Sequence, residues 1–199
     1  MEKIQPTRPL NILLFGANGG IGRQCVNQAL AEGHYVTAIV RDPAKLPLSH
    51  PNLKIVKADV TMASSFSNVL EAQQLVISTI GGGEGFGSDK PTTLYSKGAE
   101  NILRAMEKAG TRRAFFISAA AVETSPAIPW FYQLVSKYVI QRLLKHSYAD
   151  LLRMETIIRS SGTDWTIVRP PQLTDKALSA DYRFAVNTHH WWFMHKHPL

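Results

Sequence analysis

The sequence predicts an α/β fold on a doubly wound parallel sheet, and three observations carry that expectation. Short apolar runs alternate with helical patterns, glycine or proline closes most elements, and a glycine-spaced loop joins the first run to the first helix. A chain of 199 residues supports one well-buried core and is short for two. Strands alternating with helices at this pitch imply right-handed crossovers, a three-layer sandwich and the strand order 3-2-1-4-5-6.

"NILLFG" is a continuous apolar run of strand length ended by glycine, as expected of a strand buried on both faces. A helix follows from about Ile21 to Glu32, with Ile21, Val26, Ala29 and Leu30 on one side and Gly33 as its stop. "YVTAIVR" is the second strand and "LKIVKADV" the third, separated by the proline-punctuated "DPAKLPLSHPN". A short helix is expected around "SSFSNVLEA", then the fourth strand "QLVISTIG". Pro91 marks a helix start, Leu94, Ile102, Leu103 and Met106 form its apolar positions, and Gly110 ends it. "RAFFISAAAV" is strand five. A mostly helical stretch runs from about Trp130 to Ser161 with a break near "KHSYAD", and "DWTIVRP" is strand six, stopped by Pro170 and Pro171.

Composition narrows the function classes. A hydrophobic share of 45% with 19% charged residues is that of a globular protein, which disfavours disorder and fibrous repeats. Cys25 is the single cysteine and lies in the first helix, so no disulfide framework exists and a small core residue is expected there. "MEKIQPTRPL" lacks the apolar stretch of a secretory signal, and no run approaches the roughly 18 apolar residues of a membrane span. A cytoplasmic protein without membrane partners is the expectation. The net charge of +7 comes from scattered cations rather than one aromatic-interleaved patch, which disfavours nucleic acid; a phosphorylated small ligand uses the same positive field.

The loop "FGANGGIG" places Gly16, Gly19 and Gly22 at three-residue intervals, with Gly20 beside them. Between a strand and a helix, the first glycine permits a tight turn. The middle one lets backbone N–H groups approach a pyrophosphate, and the last lets helix and strand pack closely. The helix N-terminus then faces the anion with unpaired amides. Strand before and helix after make dinucleotide binding the expected role.

An acidic residue at the end of strand two grips the 2′-hydroxyl of NAD, whereas a basic one accommodates the 2′-phosphate of NADP. Arg41 stands there, with Lys45 as a second charge, so NADP is favoured; Asp42 keeps NAD open. Asp59 and Val60 sit where an adenine edge lies in this fold, or simply terminate a strand. Ser118, after strand five, is the candidate for orienting nicotinamide or acceptor through its hydroxyl, or else a buried serine satisfied by neighbouring backbone. Trp130, Phe131 and Tyr132 are candidates to stack on a flat acceptor ring, or belong to the core or a dimer contact. His189, His190, His195 and His197 lack a carboxylate or cysteine among them, and no metal site is expected.

The stretches "FGANGGIG", "VTAIVRDPAKL", "ADV", "PTTLYSKGAENILRAM", "LLRMETIIRSSGTDWTIVRPPQLTD" and "ADYRF" resemble the atypical short-chain dehydrogenase/reductases. Within them the likeness is to the NAD(P)H-binding, NmrA-like proteins of the flavin reductase/biliverdin reductase B type, over about Asn11 to Phe184. The resemblance implies a Rossmann-type fold, bound NADP(H) and hydride transfer to a flavin, quinone-like or tetrapyrrole-like acceptor. It implies cofactor contacts from Gly16, Asn18, Gly19, Gly20, Ile21 and Gly22, from Arg41 to the 2′-phosphate, and from Asp59 and Val60 to adenine. Thr79, Ile80 and Gly81 are implied at the ribose–nicotinamide end, with Ser118 and Ala119 after strand five and Pro170 and Pro171 flanking the nicotinamide. Relatives often carry a second hydroxyl residue where Ala119 stands. They also usually continue beyond Tyr182, so residues 1–184 read as the NAD(P)-binding domain and 185–199 as a divergent tail with a truncated C-terminal part.

Many reductases of the wider superfamily use a tyrosine with lysine four residues later as proton donor. No tyrosine here has that partner; Tyr138 with Arg142 comes nearest. Alcohol and ketone chemistry is therefore disfavoured. The expected function is an NADP(H)-dependent oxidoreductase passing hydride to a conjugated small-molecule acceptor, as monomer or homodimer. The alternative is a non-catalytic NADP(H)-responsive regulatory protein.

Overall fold

The computed structural model describes residues 8–81, 90–122, 141–171, 173 and 186. Six strands form one sheet: β1 (Asn11–Phe15), β2 (Tyr35–Val40), β3 (Leu53–Lys57), β4 (Leu75–Ser78), β5 (Arg113–Ile117) and β6 (Asp164–Val168). Their order is β3-β2-β1-β4-β5-β6 and every pairing is parallel, which is the expected Rossmann-like arrangement. All six carboxyl ends consequently share one edge.

Helices α1 (Gly20–Ala31), α2 (Leu94–Ala109) and α3 (Gln141–Arg159) cover the two faces. Alternation along β1 divides the core. Ile12 and Leu14 pack with Val26 and Ala29 of α1, whereas Leu13 and Phe15 pack with Ile102 and Met106 of α2 and Leu151, Met154 and Ile158 of α3. Burial on both faces explains why β1 reads as an unbroken apolar run. Cys25 packs at the edge of the α1 core, where burial pushes its thiol pKa up, in keeping with a packing role.

Three elements differ from expectation. "SSFSNVLEA" forms two 3-10 turns, Ala63–Ser65 and Ser67–Val69, instead of a helix. The Ser65 hydroxyl bonds the Asp59 and Met62 carbonyls while Phe66 and Leu70 plug the core, so local side-chain bonds and anchoring override helical propensity. Helix α2 starts at Leu94, not at Pro91, because a carboxylate from α3 fixes its first turn, as described below. Finally, α3 runs unbroken through "KHSYAD". Ser147 and Asp150 are buried there, and Asp150 is held by the Tyr95 amide and the Ser96 hydroxyl, partners that replace the solvent contacts suggesting a break. Residues 130–140 of the expected helical stretch lie outside the described residues.

Strands two to six also stop earlier than the apolar runs suggest. Arg41, Asp59–Val60, Thr79–Gly81, Ser118–Ala119 and Arg169 all leave the sheet at its carboxyl edge. Those departures build the site.

Candidate functional site

Strands β1 and β4 are neighbours, yet the chain leaves β1 toward α1 on one face and β4 toward α2 on the other. A crevice opens at the carboxyl edge where connections diverge in this way. Gly16 turns the chain there with φ +81°, and a Cβ on it would stand 2.6 Å from the Thr79 carbonyl oxygen. A Cβ on Gly22 would lie 2.2 Å from the Gly16 carbonyl oxygen, so α1 can approach β1 only without a side chain at that position. At Gly20 a Cβ would meet nothing within 4 Å, which leaves that side of the loop open.

Two helix N-termini lie at this edge and differ in electrostatics. Helix α1 begins after Gly19 with no side-chain cap and no acidic residue in its first turn, so its leading amides keep their hydrogens and its partial positive charge is uncompensated. At α2 the buried Asp150 of α3 accepts from the Tyr95 amide at 2.8 Å and from the Ser96 hydroxyl. Arg153 in turn donates to Asp150 and to the Thr92 carbonyl. Burial, together with the charge of Asp150 and the neighbouring Tyr148, raises the Tyr95 pKa to about 12, keeping that phenol neutral. One terminus is sealed by a carboxylate; the other is ready for an anion.

The loop after β2 is held from the glycine loop and from α1. Asn18 Nδ2 donates to the Asp42 carbonyl at 3.1 Å and Arg23 Nη2 to the Lys45 carbonyl at 2.6 Å. Asp42 is exposed, and its carboxylate accepts from the Ala44 amide at 3.1 Å as cap of the 3-10 turn Pro43–Lys45. Arg41 and Lys45 are exposed on the same loop. Beyond β3, Asp59 accepts from the hydroxyl and amide of Thr61 at 2.7 and 2.8 Å. Those bonds, aided by the Arg41 charge and against a burial effect, hold its carboxyl below the usual range. Val60 is buried against Gly98, and its carbonyl accepts from the buried Asn101 side chain at 2.9 Å. Gly16, Asn18, Gly19, Gly20, Ile21 and Gly22 thus meet Arg41 and Lys45 at one end of the edge, with Asp59 and Val60 beside them.

At the other end, the amide and hydroxyl of Thr79 both donate to the Phe15 carbonyl, at 2.9 and 2.8 Å. Ile80 packs against the core and Gly81 is exposed. The Ser118 amide donates to Val168 and the Ala120 amide to Pro170, so Ser118 and Ala119 lie beside Pro170 and Pro171. The Ser118 hydroxyl donates to Glu155 Oε1 of α3 at 2.7 Å, which makes a side chain rather than backbone its partner. Glu155, 3% exposed, also accepts from Arg169 Nε at 2.9 Å and Nη2 at 2.5 Å. Burial pushes its pKa up, but the bonds from Arg169 and Ser118, the Arg169 charge and a longer bond from Arg159 outweigh it, and the group stays ionised.

Trp130, Phe131, Tyr132 and the histidines from His189 onward lie outside the described residues. Among the described residues no three metal-ligating side chains converge, and no helix is long and apolar enough to cross a membrane. Cavities of about 170 Å³ beside Tyr35 and Asn52, and of about 300 Å³ between α1 and Leu48–His50, lie away from the carboxyl-edge residues just described. Sequence reasoning did not single out Arg23, Asn101, Asp150, Glu155 or Arg169. For Glu155 a signal existed: Leu151, Met154 and Ile158 share its helical face, so an acid stands inside an apolar stripe.

A family model described as NAD(P)H-binding matches residues 16–191. An uncharacterized chloroplastic protein of Arabidopsis thaliana is 31% identical over 165 residues, covering 80% of this chain and 58% of its own length. The chain therefore spans little more than half of that relative. Among solved structures, the anaerobillin reductase ChuY of Escherichia coli O157:H7 superposes with a TM-score of 0.60 at 24% identity, over 80% of this chain and 72% of its own. A short-chain dehydrogenase/reductase of Veillonella parvula in complex with NADP gives 0.63 at 18% identity, over 80% and 68% respectively.

Proposed function

Because this chain belongs to the NAD(P)H-binding family, whose model spans residues 16–191, we propose that it is an NADP(H)-dependent oxidoreductase delivering hydride to a conjugated acceptor such as a flavin or quinone. The observation that carries this reading is the uncapped amino terminus of α1, packed onto β1 and β4 through Gly16 and Gly22, with a cradle left open at Gly20, where a Cβ would meet nothing within 4 Å. Such a cradle suits a pyrophosphate.

NADP is preferred over NAD because one oxygen of the Asp42 carboxylate is engaged by the Ala44 amide, while the exposed Arg41 beside it offers a guanidinium. A carboxylate engaged as a cap is a poor partner for a ribose diol, and a guanidinium suits a phosphate dianion. Asp59 and Val60 are assigned to the adenine end, Thr79, Ile80 and Gly81 to the ribose–nicotinamide end, and Ser118, Ala119, Pro170 and Pro171 to the nicotinamide. Trp130, Phe131 and Tyr132 are assigned to the acceptor.

When bound, reduced nicotinamide supplies the hydride, and solvent supplies the proton that completes two-electron reduction of the acceptor. The protein's part is to hold phosphates at α1 and fix the ring near Ser118. The name of the ChuY relative supports a conjugated acceptor by analogy.

The commitment of the Ser118 hydroxyl hydrogen to Glu155 favours a second reading, a regulatory protein that binds NADP(H) without turnover, because it removes a proton donor from the edge. Mixing the protein with NADPH and FMN, riboflavin or a quinone separates the two. Loss of nicotinamide absorbance at a rate set by protein concentration supports the enzyme; tight NADPH binding without acceptor consumption supports the regulator.

A further inference from the structure

We propose that Glu155 is a positioning residue for the nicotinamide end of the site: by accepting the Ser118 hydroxyl hydrogen and clamping Arg169, it fixes Ser118 as a hydrogen-bond acceptor toward the crevice. This inference rests on the nucleotide-binding reading above.

Ser118 follows β5 and Arg169 follows β6, so both stand at the carboxyl edge, and Glu155 reaches them from the middle of α3. The Ser118 amide is tied to Val168 and the Ala120 amide to Pro170, which leaves the hydroxyl as the adjustable element of this corner. A serine hydroxyl has one hydrogen and two lone pairs. With the hydrogen directed to Glu155 Oε1 at 2.7 Å, only lone pairs remain for a ligand. The complementary group is a donor such as the carboxamide NH₂ of a nicotinamide, and a carbonyl oxygen in that place is repelled. Among the described residues, the charged groups bonded to Glu155 are Arg169, with two bonds, and Arg159 one turn along α3. Both stabilise the carboxylate, so it holds the serine hydrogen firmly rather than offering one of its own. The Glu155–Arg169 pair also joins α3 to the end of β6, fixing the segment that carries Pro170 and Pro171 beside the same ring.

The experiment compares NADPH with its adenine-end fragment 2′,5′-ADP by calorimetry on the intact protein. Glu155→Ala, which removes the acceptor that Gln would retain, should raise the dissociation constant for NADPH about five- to tenfold, the loss of one or two hydrogen bonds, and leave 2′,5′-ADP binding unchanged. Ser118→Ala should do the same, and adding it to Glu155→Ala should bring no further loss, since Glu155 acts through Ser118. If Glu155→Ala does not fold, the pair Glu155→Ala/Arg169→Gln carries the same expectation. Equal weakening of both ligands, no weakening, or additive losses in the double variant overturns the positioning role while leaving nucleotide binding intact. If neither ligand binds the native protein, the nucleotide-binding reading itself fails, and this inference with it.

Discussion

The carbonyl oxygen of Gly16 lies 2.2 Å from the point where a Cβ on Gly22 would stand, so the first turn of α1 and the end of β1 touch through backbone alone. Gly22→Ala must push α1 away from the loop. Overpacking of this kind costs about 1–3 kcal/mol. The expected outcome is a lower unfolding midpoint together with weakened nucleotide binding. Gly20→Ala, whose Cβ meets no protein atom within 4 Å, should retain stability and lose affinity only through crowding of the ligand. Chemical denaturation paired with binding of NADPH checks both, and equal stability losses at the two positions would contradict the packing assignment.

Substitution of Arg41 by Asp should weaken NADPH by about ten- to a hundredfold, the range of a charge-assisted contact, and NADH much less. Asp42→Asn retains an oxygen to cap Ala44 and should leave the ratio of the two affinities unchanged. Equal effects of Arg41→Asp on both nucleotides would remove the 2′-phosphate assignment. A marked rise in NADPH preference in Asp42→Asn would show that this carboxylate grips the ribose.

The buried Asp150 caps α2 from another helix, so its loss strips the Tyr95 amide and Ser96 hydroxyl of their acceptor at once. Asp150→Ala should lower stability by about 1–3 kcal/mol. Urea unfolding measures this. A change of only a few tenths would mean that water caps the helix equally well.

Much of the fold was legible because its signals are local. The unbroken apolar run of β1, glycine at Gly33 and Gly110, and the pitch of strands and helices dictate a parallel sheet before any contact is known. The glycine loop and Arg41 were legible for the same reason, since spacing alone places them at strand ends. Asp150, Glu155 and Asn101 were not, because each serves a partner 37 to 55 residues away in sequence, and propensity carries no record of such bonds. The same cause explains the expected break at "KHSYAD": Asp150, which looks solvated, is buried against the distant amide of Tyr95.

Glu155 gives the protein an acid-sensitive element. Its folded pKa lies below the ordinary glutamate value, because the bonds from Arg169 and Ser118 outweigh burial. Its stabilising contribution is therefore complete above the unfolded pKa, near the usual 4.5, and is withdrawn as pH falls through the lower folded value. Thermal midpoints followed from neutral pH downward should fall more steeply below about pH 4.5 for the native protein than for Glu155→Gln/Arg169→Gln. Parallel curves would show that the pair contributes no pH-dependent stability.

The most direct test is calorimetric titration of the folded native protein with NADPH. Saturable binding at one site per chain, in the micromolar range or tighter and weakened in Gly22→Ala and Arg41→Asp, is the expected result. Absence of binding heat with either NADPH or NADP at several temperatures, in protein whose circular dichroism shows a native α/β fold, would contradict it.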